Sequence, residues 1–137
     1  MAMTTLFFDE VLRTPAGPDA VRNIRVHLLE RALGAGVDES EAWKMAAVAD
    51  ELVSNMEEHG NAKWVRVQAE LPQGKDPLRL RLKDNSSGFN LVLATAEANP
   101  PTGDNDRGLG MWLIRQATRS LRQQRTAKGE TETILEF

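Results

Sequence analysis

Three short stretches of this chain carry residue types that could do chemistry on a charged ligand. Glu51 and Asn55 lie at i and i+4 in Glu51-Leu52-Val53-Ser54-Asn55, so on a helix they stack along one side. That pair lies away from the apolar stripe through Ala49, Leu52 and Met56. Asp84 ends a strand-like run and is followed four residues later by Gly88. A carboxylate in that position commonly closes a turn by accepting bonds from the next backbone amides. It could equally accept one from an exocyclic amine such as that of adenine. Arg107-Gly108-Leu109-Gly110 opens a helical segment. Glycines there let a ligand approach the backbone, where unpaired amides and the positive dipole end favour phosphate. Each stretch also has an ordinary structural reading: a solvated helix face, a turn former, a flexible start to a helix.

The elements that must position these residues follow from periodicity. Thr4 to Arg13 is rich in Phe, Leu and Val and is closed by Thr14-Pro15-Ala16-Gly17-Pro18, a strand and then a turn. From Asp19 to about Leu33, Ala20, Ile24, Leu28 and Ala32 recur every fourth position as a helical stripe, which Gly34 and Gly36 stop. Asp38 reads as the N-cap of a second helix with Glu41 as its reciprocal partner. The apolar face of that helix is Ala42, Met45, Ala49, Leu52, Val53 and Met56, and Gly60-Asn61 ends it. Val65, Val67, Ala69 and Leu71 share one face of a strand, and Leu78, Leu80 and Leu82 share one face of the next. A polar, Pro-rich segment from Asn99 to Arg107 is the part expected to be mobile. A third helix runs from Gly108 to about Ser120, burying Ile114, Ala117 and Leu121. Strands over 121–127 and 131–137 turn at Lys128-Gly129. The order predicts an α+β two-layer sandwich, helices packed on one face of a mostly antiparallel sheet.

Composition narrows the function classes. The 137 residues suit one domain, 41% of them are hydrophobic and 27% charged, and 17 basic against 20 acidic residues give a net charge of −3. That balance disfavours a nucleic-acid surface driven by overall charge. There is no cysteine, which removes disulfides, thiolate zinc sites and thiol nucleophiles. The longest apolar run, Leu91-Val92-Leu93-Ala94-Thr95-Ala96, is far short of the ~20 residues that span a bilayer. Gly74-Lys75 lacks the Ser/Thr of a P-loop, and Phe89 stands where a calcium loop needs Gly. His27 and His59 are too isolated for structural zinc, and no serine-hydrolase elbow is present. Arg115, Arg119, Arg122, Arg125 and Lys128 have basic spacing without aromatic interleaving and read as a solvated face. The expectation is one soluble, cytoplasmic domain spanning 1–137, with no membrane and no direct nucleic-acid contact.

Taken together and in this order, the three stretches resemble the motifs of the GHKL, or Bergerat-fold, ATPase superfamily of gyrase, histidine kinases and MutL. Glu51 to His59 looks like the N-box, E-x-x-x-N with a His four residues on. Asp84-Asn85-Ser86-Ser87-Gly88-Phe89 looks like the D-x-G-x-G-F box. Arg107-Gly108-Leu109-Gly110-Met111-Trp112-Leu113-Ile114 looks like the G-x-G-L-x-L-I box. The element order read from periodicity matches that fold, so the resemblance extends from about Thr4 to Phe137. Within the superfamily the chain is similar to the bacterial anti-sigma factor serine kinases, which are an ATPase domain without attached dimerisation helices. A sensor histidine kinase fits less well, because its phospho-accepting His sits on a separate helical hairpin.

The resemblance implies roles position by position. Glu51 would be the general base that prepares the attacking hydroxyl or water. Asn55 would bind the magnesium that bridges the phosphates. Asp84 would recognise the adenine amine, and Gly88 would let the base lie close to backbone. The amides around Gly108, Leu109 and Gly110 would cradle phosphate, with Arg107 neutralising charge on it. A lid over ATP would lie at about 90–107. The implied protein is an ATP- and magnesium-dependent serine kinase that phosphorylates a STAS-type anti-anti-sigma partner. It would sequester a sigma factor when that partner is modified, and it could form the homodimer common among relatives. Two alternatives are a non-catalytic, nucleotide-dependent binding module and an ATP-hydrolysing enzyme without a protein substrate. The chain departs from the family pattern at Ser86, which replaces the first Gly of the second box. A Cβ there is expected to crowd the base or to resist a positive φ angle.

Overall fold

The structure is a computed structural model that describes residues 4–59, 62–72, 77–86 and 109–137, apart from the side chains of Glu58, His59, Pro72 and Leu109. Elements follow in the order β1 (Thr4–Arg13), α1 (Gly17–Gly34), α2 (Glu39–His59), β2 (Trp64–Pro72), β3 (Arg79–Asp84), α3 (Leu109–Ala117), β4 (Ser120–Arg125) and β5 (Thr131–Glu136). The strands form one sheet in the order β1-β2-β3-β5-β4, and every neighbouring pair is antiparallel. The α+β sandwich expected from the periodicity is the architecture observed. Gly60-Asn61, residues 73–76 and the expected lid at 90–107 lie outside the described residues.

Local chemistry accounts for most of the boundaries. Pro18 sits in the first turn of α1, where its missing N–H costs nothing and its fixed φ suits a helix. At the other end Gly36 has φ +90, and Val37 N–H donates to Ala32 O while Gly36 N–H donates to Leu33 O. That bond pair is a Schellman closure, which needs a residue tolerant of the left-handed region at Gly36. Asp38 caps α2 as expected, with Glu41 N–H donating to Asp38 Oδ2 at 3.4 Å. The Glu41 side chain meets Lys44 at 3.4 Å.

The expected α1 stripe is off by one residue at its start. Val21 is buried and Ala20 is half-buried, because the buried set Val21, Ile24, Leu28 and Ala32 follows a mixed three- and four-residue spacing. Helix α3 stops at Ala117 instead of Ser120. Thr118 N–H and its hydroxyl both bond Ile114 O, while Arg119 N–H turns to Glu136 O on the sheet. The sheet has captured the backbone there, so Leu121 lies on β4 and packs against the core from the strand. Strands β4 and β5 end at Arg125 and Glu136, short of the expected 127 and 137. The Gly129 turn holds, with φ +79.

One core lies between the helices and the sheet. Leu28, Met45, Leu52, Val65, Val67, Leu80, Leu82, Ile114 and Leu135 have less than 2% exposure, and burying a large aliphatic side chain contributes about 1.5–3 kcal/mol. All six residues of the predicted α2 face are buried in it. Trp43, on the opposite side of α2, is exposed.

The other face of the sheet carries charges in register. Arg66 makes a two-pronged bond to Asp9, at 2.9 and 2.8 Å. Arg79 reaches Glu136 at 2.9 Å and Glu70 at 3.6 Å, Arg81 reaches Glu70 at 3.3 Å, and Lys83 reaches Glu132 at 3.7 Å. The Ser120 hydroxyl, and then Arg79, hold the Glu136 carboxyl below its ordinary value of 4.5 against the opposing effect of burial. A depressed carboxylate contributes stability above its unfolded value and loses it as pH falls through the folded one. Glu136→Gln therefore lowers the melting temperature by a few degrees at pH 7, on the order of 1 kcal/mol. The gap to wild type closes below the ordinary value of 4.5. A gap that stays constant across a pH series of thermal melts would mean that the carboxylate charge contributes nothing.

Candidate functional site

Asp84 is the most unusual side chain of the sheet. Along β3 the pattern alternates half-buried and buried, so Arg79, Arg81 and Lys83 face one way and Leu80, Leu82 and Asp84 face the core. Asp84 is 0% exposed. Its Oδ1 accepts the Ser86 N–H at 2.7 Å, while its Oδ2 is buried with no hydrogen-bond partner among the described residues. An acceptor left bare inside a protein costs about 1–3 kcal/mol, and more when it carries charge. A ligand offering one N–H donor would remove that penalty, as an adenine amine does.

Ser86 takes part in the same geometry through its backbone. Position 86 supplies a backbone N–H to Asp84, and serine has that group as glycine does. Ser86 is itself 3% exposed. The neighbouring Asn85 turns the other way, its Oδ1 accepting the Lys63 N–H at 2.8 Å and tying the strand end to the start of β2.

Helix α2 brings Glu51 and Asn55 over the core side of the sheet. Asn55 Nδ2 is buried without a hydrogen-bond partner among the described residues, so it is a donor that an oxygen-rich ligand could satisfy. Glu51 packs against the first turn of α3. A Cβ added at Gly110 would fall 2.7 Å from Glu51 Cδ, closer than real carbons approach, so this glycine makes room for the glutamate. Gly110 was expected to open backbone toward phosphate; here its bare face is covered by Glu51. A carboxylate beside a helix N-terminus is favoured by the dipole, by about 0.3–1 kcal/mol.

Of the other expected site residues, Gly88, Arg107 and Gly108 lie outside the described residues. Leu109 begins α3, and its side chain is likewise outside them. Among the described residues no group of three or more His, Cys, Asp or Glu gathers in the manner of a metal cluster. A magnesium held by one protein oxygen and substrate phosphates needs no such cluster.

Two residues near these elements escape a motif reading. Thr131 pairs with Asp84 in the β3–β5 register and is buried on the same face, so a hydroxyl stands beside the carboxylate. Its signal in sequence was faint: Thr131 and Thr133 occupy the inward phase of β5, where an apolar residue is expected. Glu57, two residues beyond Asn55, accepts the Ala16 N–H at the start of α1. It thereby fastens the last turns of α2 to the neighbouring helix. Nothing in local spacing marks that long-range cap.

Comparisons with known proteins fit this geometry. A family model described as the histidine kinase-like ATPase domain matches residues 14–137. Among solved structures, a chain of the SiaB–SiaC complex from Pseudomonas aeruginosa superposes with a TM-score of 0.59 at 13% identity. The match covers 95% of this chain and 88% of that one. That is a likeness of fold. No curated protein matches as a sequence relative.

Proposed function

This chain belongs to the histidine kinase-like ATPase family, and from that premise we propose that it is an ATP- and magnesium-dependent protein serine kinase. In this reading it acts as an anti-sigma regulator that phosphorylates an anti-anti-sigma partner in a partner-switching pathway. The whole of 1–137 is one ATPase domain with its lid at about 90–107, and it works in the cytoplasm. No helix among the described residues is long and apolar enough to cross a membrane. The observation that carries the proposal is the fully buried Asp84 carboxylate, one oxygen satisfied by the Ser86 N–H and the other without a partner among the described residues. The likeness of fold to a chain that was crystallised in a two-protein complex supports a protein partner.

The chemistry asked of the protein is positioning and electrostatics. Asp84 Oδ2 accepts the exocyclic N–H of adenine and sets the depth of the base. Asn55 turns its amide toward the phosphates, where its oxygen would hold magnesium, and the ion when bound offsets charge on the phosphoryl oxygens. The first amides of α3, with Arg107, meet the phosphate chain. Glu51 takes the proton from the partner's seryl hydroxyl as its oxygen bonds to the γ-phosphorus, while the bond to the β-phosphate oxygen breaks and ADP leaves.

Incubation with γ-labelled ATP, magnesium and a STAS-type anti-anti-sigma protein tests this directly. Label appears on a serine of that partner, and only with magnesium. Phosphate release that no partner accelerates would leave an ATPase without a protein substrate. Partner binding that responds to ATP with no transfer would leave a nucleotide-dependent binding module. In the same assay Asn55→Ala abolishes the magnesium-dependent part of ATP binding and spares adenosine binding. An equal loss of both would make Asn55 a structural residue.

A further inference from the structure

The sheet face turned away from α1, α2 and α3 holds an open groove of about 470 Å³ whose lining is cationic. Arg13, Arg66, Lys83 and Lys128 contribute to it, and Val11 and Trp64 give it an apolar floor. The register explains the grouping. Val11 pairs with Arg66, Arg66 with Lys83, and Arg13 with Trp64, so these side chains stand in two adjacent rows on one face. The turn between β4 and β5 adds Lys128, and among the described residues the only carboxylate in the lining is Glu130.

The charges are not equivalent. Asp9 already engages Arg66, and Glu132 already engages Lys83. Arg13 and Lys128 are exposed and have no carboxylate partner among the described residues. Val11 is 58% exposed, a large value for an aliphatic side chain beside a half-buried tryptophan. A protein of net charge −3 thus carries a small basic patch around an apolar spot, running from the edge strand β1 across the sheet to the β4–β5 turn.

We propose that this groove binds an extended acidic segment of a protein partner. An apolar side chain of that segment rests on Val11 and Trp64, and carboxylates on either side of it meet Arg13 and Lys128. Charge complementarity selects the chemistry, and the small number of uncompensated cations selects peptide over nucleic acid. A nucleic-acid track needs a run of free cations along the backbone, and Asp9, Glu130 and Glu132 interrupt any such run. The groove lies across the sheet from Asp84, so this proposal stands apart from the nucleotide reading.

The test uses fluorescence anisotropy of the full chain with a labelled hexapeptide of alternating glutamate and leucine at low ionic strength. A labelled single-stranded oligonucleotide is the parallel probe. The peptide binds the wild-type chain with or without ATP, and added salt weakens it. Reversal of both free cations, Arg13→Glu with Lys128→Glu, weakens it about tenfold or more. Trp64→Ala weakens it as well, while a matched pair of reversals elsewhere, Arg22→Glu with Lys44→Glu, does not. Thermal melts confirm that each variant is folded, and Arg13→Gln with Lys128→Gln gives a milder loss in the same direction. Absent peptide binding, equal binding by the reversed and control variants, or tighter binding of the oligonucleotide through Arg13 and Lys128 would each overturn the proposal.

Discussion

With Glu51→Ala, phosphoryl transfer to the partner serine falls by about 10²–10⁴-fold, the usual contribution of a positioned general base, while ATP affinity changes little. The separation of the two effects is the informative part. Glu51 lies against the first turn of α3, whereas the adenine assignment rests on Asp84, so its loss should not disturb a base held at the strand end. Glu51→Gln keeps the shape and removes the proton acceptor. It should transfer as poorly as the alanine variant if the carboxylate acts as a base. Gly110→Ala approaches the same residue from outside: the new Cβ would collide with the carboxylate group, so the glutamate must swing away and transfer must fall with Glu51 intact. Single-turnover rates at saturating ATP measure all three. Transfer at the wild-type rate in Glu51→Gln would remove the glutamate from the chemistry.

The second large effect is on nucleotide binding. Asp84→Asn keeps the volume and one carbonyl oxygen but removes the negative charge, weakening a charge-assisted acceptor worth about 1.5–3 kcal/mol. The dissociation constant for ATP should rise by about 10–200-fold. The amide must also place an NH₂ group where the carboxylate now has a bare oxygen, and an NH₂ group faces the adenine amine as donor to donor. GTP makes the comparison sharper, because guanine presents a carbonyl at that edge. Asp84→Asn should lose ATP binding and keep or gain weak GTP binding in titration calorimetry. Unchanged ATP affinity would end the adenine assignment. The apo protein gives an independent check: relieving a buried, half-satisfied carboxylate should leave Asp84→Asn no less stable, which a thermal melt reads.

How much of this was legible before the fold was known depends on the range of the interaction. Local signals were read correctly at most places where the deciding contact is local; the exception is the reciprocal cap, since the Glu41 side chain meets Lys44. The Gly36 closure of α1, the Asp38 cap of α2 and the Gly129 turn rest on bonds or dihedrals within a few residues, and the buried α2 face follows from its own helical period. The misreadings occur where the sheet intervenes. Helix α3 ends three residues early because Arg119 is drawn to Glu136, a pairing no helical period contains. The α1 stripe begins at Val21 because the helix meets its neighbours along a drifting line and not a strict four-residue row.

The candidate site divides in the same way. The i, i+4 spacing of Glu51 and Asn55, and the position of Asp84 at the end of an alternating strand, are properties of the chain alone. In Arg79-Leu80-Arg81-Leu82-Lys83-Asp84 the alternation carries the aspartate into the apolar phase, and a carboxylate there must find a partner. The sequence could therefore name these residues and the ligand chemistry they suit. Tertiary structure alone decided what stands beside them. The strand order β1-β2-β3-β5-β4 lays Thr131 against Asp84, and packing of α3 on α2 puts Gly110 against Glu51. Those neighbours come from sheet register and helix packing between segments far apart in the chain. Such contacts are chosen by the burial of the whole core, and no local spacing encodes them.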